Sequence, residues 1–347
     1  MTAPQPDHTQ PQALHPEPTA ETLDPRATAE AVLYEIRRVI VGQDAMLERV
    51  LVALLAGGHL LLEGVPGLAK TLTVKTLADV LEASFHRIQF TPDLVPADLV
   101  GTRIYRPDRA EFDVELGPVF ANFLLADEIN RAPAKVQSAL LEVMQERQVT
   151  IGPETHPVPR PFLVMATQNP IEAEGTYPLP EAQVDRFMMK VRVDYPTAAE
   201  ESVVVQRSLA AAADVTPILT ADSLAALQKL TEEVYVDRAI VDYAVALTRA
   251  TREPESVGLP GVKPYISYGA SPRGSIYLIH AARALAVVRG RRYVLPIDVI
   301  DLSRDVLRHR IVPSFTALAE EVNADMILDR ILPAVPVPNL VATEQTA

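Results

Sequence analysis

Between an apolar run, His59 to Glu63, and a helical pattern that opens at Lys70 lie Gly64-Val65-Pro66-Gly67-Leu68-Ala69-Lys70-Thr71. A short buried strand, a loop of small residues and a helix N-terminus in direct succession restrict the chain to an α/β arrangement. Small residues let backbone N–H groups close on phosphate oxygens, and the helix N-terminus adds its partial positive charge. Lys70 is then placed to reach the β- and γ-phosphates of a nucleotide, and Thr71 to supply an oxygen to magnesium, with Leu72 continuing the helix. One position departs from the pattern. Ala69 stands where a glycine usually precedes the lysine, and alanine enters positive φ only at a cost. Isolated, such a segment is also compatible with a fortuitous loop, so the rest of the chain has to decide.

Helical patterns run from Ala27 to near Ile40 and, after a break at Val41-Gly42-Gln43, up to Leu55. Lys70 to Ala83 carries Val74, Leu77, Ala78 and Leu81 on one face. Phe85 to Phe90, Asn122 to Ala126 and Phe162 to Ala166 read as strands, and Val136, Leu140, Val143 and Met144 mark a helix among them. Thr102 to Tyr105 and Phe112 to Glu115 flank Arg106-Pro107-Asp108-Arg109 in the manner of a hairpin. This alternation predicts an α/β fold with a parallel sheet between helical layers (αβα). Beyond Tyr195-Pro196 strand signals nearly vanish. One helix there is well punctuated, with Ser271 as N-cap, Pro272 at the first helical position and Gly290 past the end. The expected organisation is a tail over residues 1–26, an α/β core over 27–196, a small all-helical domain over 197–338 and a short tail over 339–347. Six prolines in the first 25 residues, with few large apolar ones, predict disorder there.

Composition excludes several classes. The 347 residues contain no Cys, which removes disulfides, thiolate metal sites, iron–sulfur clusters and thiol nucleophiles together. A net charge of −13 and 5% aromatic residues argue against sequence-independent nucleic-acid binding. No stretch reads as a membrane span, because Val50 to Ala69 is interrupted by His59, Glu63 and Pro66. With no Lys or Arg in the first 25 residues there is no signal-peptide or transit-peptide pattern, so a cytoplasmic location is expected. The seven histidines show no metal-ligand spacing and read as packing or tail residues.

Chemistry concentrates at strand ends. Asn122-Phe123-Leu124-Leu125-Ala126-Asp127-Glu128 is an apolar strand that terminates in two carboxylates, 57 residues beyond Lys70. Alone it is a strand followed by a solvated acidic turn. Beside a phosphate loop, Asp127 is a candidate to hold magnesium through water and Glu128 to orient and deprotonate an attacking water. Phe162 to Ala166 leads into Thr167-Gln168-Asn169-Pro170, whose Asn169 amide suits a γ-phosphate and a water, or simply a turn. Arg186 and Arg273 are the remaining candidates. Each alone reads as a surface cation, yet phosphoryl transfer needs such charge at its transition state.

The order of these elements resembles that of AAA+ ATPases, and several motifs resemble the MoxR family closely. They are Val41-Gly42-Gln43, Gly64 to Thr71, Gln89-Phe90-Thr91-Pro92-Asp93-Leu94, Ala126 to Pro133, Ala166 to Pro170, Gly269-Ala270-Ser271-Pro272-Arg273 and Leu307-Arg308-His309-Arg310. The resemblance covers about residues 27–338, and MoxR proteins commonly carry alanine at the Ala69 position. It implies an AAA+ core and helical lid, with ATP and Mg2+ as cofactors. Lys70 and Thr71 match Walker A, Asp127 and Glu128 Walker B, Asn169 sensor 1, and Arg273 sensor 2. Arg186 matches the arginine finger, which reaches a neighbouring subunit's nucleotide, and Val41 and Gly42 would lie near the adenine. Residues 102–115 resemble the helix-2 insert and residues 148–160 the pre-sensor-1 hairpin. The family implies a ring, a hexamer by analogy, that remodels or activates a client protein, often with a von Willebrand factor A-domain partner. An ATP-binding switch with negligible hydrolysis, a magnesium-chelatase-type subunit and a nucleic-acid motor remain as alternatives.

Overall fold

The computed structural model describes residues 24–65, 67–170, 175–209 and 213–339. Helices α1 (Pro25–Val39) and α2 (Asp44–Leu55) lead into β1 (Leu60–Glu63), followed by α3 (Lys70–Val80), β2 (Phe85–Gln89) and α4 (Pro96–Val100). A hairpin of β3 (Gly101–Arg106) and β4 (Glu111–Leu116) precedes β5 (Phe123–Asp127) and α5 (Ala134–Glu146). A second hairpin, β6 (Gln148–Ile151) and β7 (Glu154–Pro157), precedes β8 (Leu163–Gln168), α6 (Glu181–Val184) and β9 (Met189–Arg192). Thereafter α7 (Ala198–Ser208), α8 (Ala221–Glu232), α9 (Arg238–Ala250), β10 (Ile266–Tyr268) and α10 (Pro272–Val288) follow. The described chain closes with α11 (Pro296–Leu307), β11 (Val312–Pro313), α12 (Phe315–Ala319) and α13 (Ala324–Ile331).

Five strands form one sheet in the order β2-β5-β8-β1-β9, and every pairing in it is parallel. Leu60 pairs with Met165 on one side and Met189 on the other, so β1 is interior. Strand periodicity divides the core. Leu60, Leu62, Phe123, Leu125, Leu163 and Met165 face α1, α2 and α3, whereas Leu61, Leu124, Ala126, Val164 and Ala166 face α5. That is the expected αβα layering, and it explains why these strands are nearly all apolar, being covered on both faces. The first apolar cluster does not stop at the helices beside the sheet. It continues through Leu224, Leu247, Leu285 and Leu302 of the C-terminal helices without a break.

Several boundaries differ from expectation. The N-terminal helix starts at Pro25, inside the segment expected to be a tail, because Asp24 Oδ1 accepts from the N–H groups of Arg26 and Ala27 and proline fits the first turn. Residues 1–23 and 340–347 of the expected tails lie outside the described residues. Helix α3 ends three residues before Ala83, where Glu82 takes φ +43°. Strand β9 was not anticipated, although Met189, Lys190, Val191 and Arg192 alternate buried and less buried positions. The C-terminal region carries one antiparallel ribbon, β10–β11, too short to leave a periodic signal. Both expected hairpins are present, and Ser271 caps α10 through the N–H of Arg273.

His59 pins the layers together. Its Nδ1 accepts from the N–H of Val164 at 3.0 Å, its Nε2 donates to the carbonyl of Met144 at 3.2 Å, and its ring meets Phe162 edge-on. One tautomer satisfies both bonds, and a second proton would displace the Val164 N–H. Burial, with the charge of Arg147, therefore lowers its pKa from 6.5 to about 4. Between those values the unfolded chain binds the proton and the folded chain does not, so this group's contribution is complete above 6.5 and lost as pH falls toward 4. In urea unfolding from pH 7 to pH 4, the wild type is expected to lose about 3 kcal/mol more stability than His59→Gln. Equal losses would show that the ring is already protonated or solvated.

Candidate functional site

The phosphate loop leaves β1 at the C-terminal edge of the sheet. Gly64 is pressed against β9's continuation, where a Cβ would stand 2.6 Å from the Val193 carbonyl oxygen. Gly67 has φ +87° and Ala69 φ +56°, so alanine adopts the left-handed conformation the sequence made costly. Pro66 lies outside the described residues, while Val65 packs partly against the main apolar cluster. No side chain caps α3, which leaves its first N–H groups to a ligand. Lys70 is buried and donates from Nζ to the Gly64 carbonyl at 2.7 Å. Burial lowers its pKa, and Asp127 and Glu128 counter that by favouring the charged form. Gly67, Ala69 and Lys70, with Leu68, Thr71 and Leu72, line a cleft of about 410 Å³ that also contains Asp127, Glu128, Thr167 and Asn169, whereas Gly64 and Val65 lie outside its lining.

Parallel pairing brings the acidic pair alongside. Asp127 accepts from the Thr167 hydroxyl at 2.6 Å on Oδ1 and from Arg87 at 2.7 Å on Oδ2. Glu128 sits at φ +57° as the chain leaves β5, and its N–H donates to the same Thr167 oxygen at 2.8 Å. Its carboxylate accepts from Gln89 Nε2 at 2.7 Å and pairs with Arg131 at 3.3 Å. Asn169 is buried where β8 ends. Among the described residues no cluster of three or more His, Cys, Asp or Glu could cage a metal ion alone. Thr71 and Asp127 are hard oxygen donors on one cleft, which fits a magnesium ion that keeps most of its waters and enters with phosphates. A wider cavity of about 1100 Å³ shares Ala69 and Leu72 with this cleft and is lined by Ile40 and Val41. Gly42, the next residue, is outside that lining; it has φ +66°, and a Cβ there would stand 2.5 Å from Glu200 Oε1.

Arg186 and Arg273 are elsewhere. They line a cavity of about 500 Å³ with Gly57, Gly58 and His59, which enter β1, Pro161, which enters β8, and Met188, which enters β9. In a parallel sheet those positions mark the N-terminal edge, whereas Lys70, Asp127 and Asn169 stand where strands leave. The four residues of β1 alone separate the edges by roughly 13 Å. Within one chain Arg273 therefore stands apart from Lys70. Ser271 Oγ and Arg273 Nη1 both bond Asp185 Oδ2, at 3.0 and 3.4 Å, which anchors the start of α10 on this side. Arg147, Arg160 and Arg283 share the cavity, with Glu232 as its acidic residue. Arg186 donates to Gln145 at 3.0 Å and pairs with no carboxylate among the described residues.

Residues 59–189 match the ATPase family associated with various cellular activities (AAA), and residues 261–331 match the AAA lid domain. Chaperone MoxR1 of Mycobacterium tuberculosis is 57% identical over 92% of this chain and 84% of its own length. Our chain belongs to the MoxR family of AAA+ ATPases. Protein MoxR of Paracoccus denitrificans is 33% identical over 89% of the chain and 95% of its own. A crystal structure from Cytophaga hutchinsonii, of a protein assigned as an ATPase, superimposes with a TM-score of 0.86 at 48% identity, covering 91% of this chain and 96% of that one.

Three cleft residues of this MoxR chain carried no role in the sequence: Arg87, Gln89 and Thr167. Thr167 lay inside a quoted motif, and Gln89 opened another. What hid their partners was strand register, because Gln89 faces Asp127 only once β2 pairs with β5. Ala69 yields a sharper test. Relief of left-handed strain and the added freedom of the unfolded chain oppose each other in Ala69→Gly, so its stability should stay within about 1 kcal/mol of wild type. Ala69→Val, a branched side chain at positive φ, should cost more than about 1 kcal/mol and weaken ATP binding. Thermal unfolding and an ATP titration of both variants check this.

Proposed function

We propose that this MoxR protein hydrolyses ATP with magnesium in a head-to-tail ring and uses the cycle to remodel or activate a partner protein. The observation that supports the ring most strongly is the separation of Arg186 and Arg273 from Lys70 across the sheet. An edge suited to phosphate and an edge lined by Arg147, Arg160, Arg186, Arg273 and Arg283 would be complementary between copies and not within one. Such a heterologous contact closes into a ring when the rotation per subunit allows it, six by family analogy.

Each side chain then has a distinct task. Lys70 leaves the Gly64 carbonyl for the β- and γ-phosphates, with the free N–H groups of α3 beside it. Thr71 and Asp127 hold the magnesium, which when bound offsets phosphate charge. Glu128 turns from Gln89 to orient and deprotonate the attacking water, and Asn169 bonds the water and the γ-phosphate. Arg186 and Arg273 of the next subunit meet charge that builds on the transferred group. Val41 and Gly42 border the space left for adenine. Client remodelling rests on kinship with a relative named as a chaperone. A von Willebrand factor A-domain partner rests on the family resemblance alone. Net charge −13 weighs against nucleic acid as the partner. No described helix is long and apolar enough to cross a membrane.

ATPase rate per subunit should climb with protein concentration. Arg186→Ala should abolish that climb and lower turnover by about 10³-fold or more, with ATP still bound. Glu128→Gln should abolish turnover and retain ATP binding. A wild-type rate independent of concentration, together with an active Arg186→Ala, would remove the trans assignment. ATP binding with no hydrolysis at any concentration would favour the nucleotide switch.

A further inference from the structure

The turn that carries Arg186 is gripped from the C-terminal helices by one guanidinium. Arg310 follows α11, and its side chain is 1% exposed. Its Nε donates to Asp185 Oδ1 at 2.8 Å, Nη2 to the carbonyls of Asp185 and Phe187 at 2.9 and 2.7 Å, and Nη1 to the Met188 carbonyl at 3.3 Å. The remaining carbonyl of this turn, that of Arg186, accepts from the Tyr277 hydroxyl at 3.4 Å, and the Tyr277 ring lies 5.0 Å from the Arg310 guanidinium carbon. All four backbone carbonyls from Asp185 to Met188 are thereby held by two side chains. Asp185 completes the clasp: Oδ1 takes Arg310, and Oδ2 takes Ser271 and Arg273.

We infer that Arg310 and Asp185 are positioning residues that lock Arg186 and Arg273 into one frame, so that both cations reach the neighbouring subunit's nucleotide together. The inference rests on the trans reading above. Burial alone does not account for the arrangement, because a packing role needs no carboxylate that bonds Arg310 and Arg273 on opposite oxygens. Burial lowers the Arg310 pKa to about 10, with Asp185 favouring the charged form, so this guanidinium keeps its charge at neutral pH. A lysine would keep the charge but could not span carbonyls and carboxylate as a planar fork does.

Subunit mixing separates donor from acceptor. Glu128→Gln has a dead Walker site and an intact cation edge, and Arg186→Ala the reverse, so their mixture should regain ATPase activity that neither has alone. Arg310→Lys should be rescued by Glu128→Gln, since its own Walker site is intact. It should fail to rescue Arg186→Ala, giving less than about a tenth of the control mixture's rate. Asp185→Asn, which keeps the side-chain shape, should show the same donor-only loss and decides the matter if Arg310→Lys does not fold. Rescue of Arg186→Ala at the control rate by either variant overturns the positioning role and leaves the trans reading intact. Loss of both donor and acceptor activity by the two variants also overturns it, as a general structural defect. Failure of the control mixture itself overturns the trans reading.

Discussion

Strand direction is the constraint on which the rest depends. All five strands of the sheet run the same way, so every loop that leaves a strand gathers at one edge and every loop that enters one gathers at the other. Carboxylates, the phosphate loop and Asn169 belong to leaving loops. Arg160, Arg186 and the Gly57-Gly58 turn belong to entering ones. A parallel sheet cannot fold one edge onto the other, because its helices already cover both faces. If turnover needs both sets of residues, as proposed, they would meet between copies, and a trans arginine would then follow from topology before any regulatory use.

Two of the left-handed non-glycine residues, Ala69 and Glu128, lie within the same cleft as Lys70. Each conformation costs of order 1–3 kcal/mol, and the surroundings over-determine both. Ala69 is held by the helix that begins at Lys70. Glu128 is held by its N–H on Thr167, whose hydroxyl also orders Asp127. One threonine therefore sets the backbone of the second carboxylate and the rotamer of the first.

Elements with strong local signals were legible before the structure: the apolar strands that run toward Glu63, Asp127 and Gln168, the Ser271-capped helix and the hairpin around Arg106–Arg109; the 148–160 hairpin came from the family resemblance alone. The candidate residues of the Lys70 cleft were legible as well, because motif and strand end coincide there. What local pattern did not carry was anything fixed by register or by long-range packing. Gln89 and Arg87 needed the β2–β5 pairing. The separation of Arg273 from Lys70 needed the seating of α10 on Asp185, contacts between residues 86 positions apart and more. Strand β9 was missed because four residues with a lysine and an arginine among them are too few to register, although pairing with β1 makes it an integral edge.

The apolar continuity between the sheet's helices and the C-terminal helices bears on how nucleotide state moves this chain. Arg49 on α2 bonds Asp305 on α11 at 2.8 Å, and Gln228 on α8 donates to the Leu54 carbonyl at 2.7 Å, both beside a shared core. Arg308 adds a bond to the Lys190 carbonyl of β9. Parting these layers would strand partly buried charges, at about 3–5 kcal/mol for each broken pair, besides exposing leucines. A wide swing of the C-terminal helices against their own core is therefore expensive. Movement of those helices together with the whole core to which they are bonded costs far less, since Arg49–Asp305, Gln228–Leu54 and the β1–β9 pairing stay intact. In the proposed ring, displacement would then be felt mainly across the contact between copies, and ATP hydrolysis would act by shifting whole subunits.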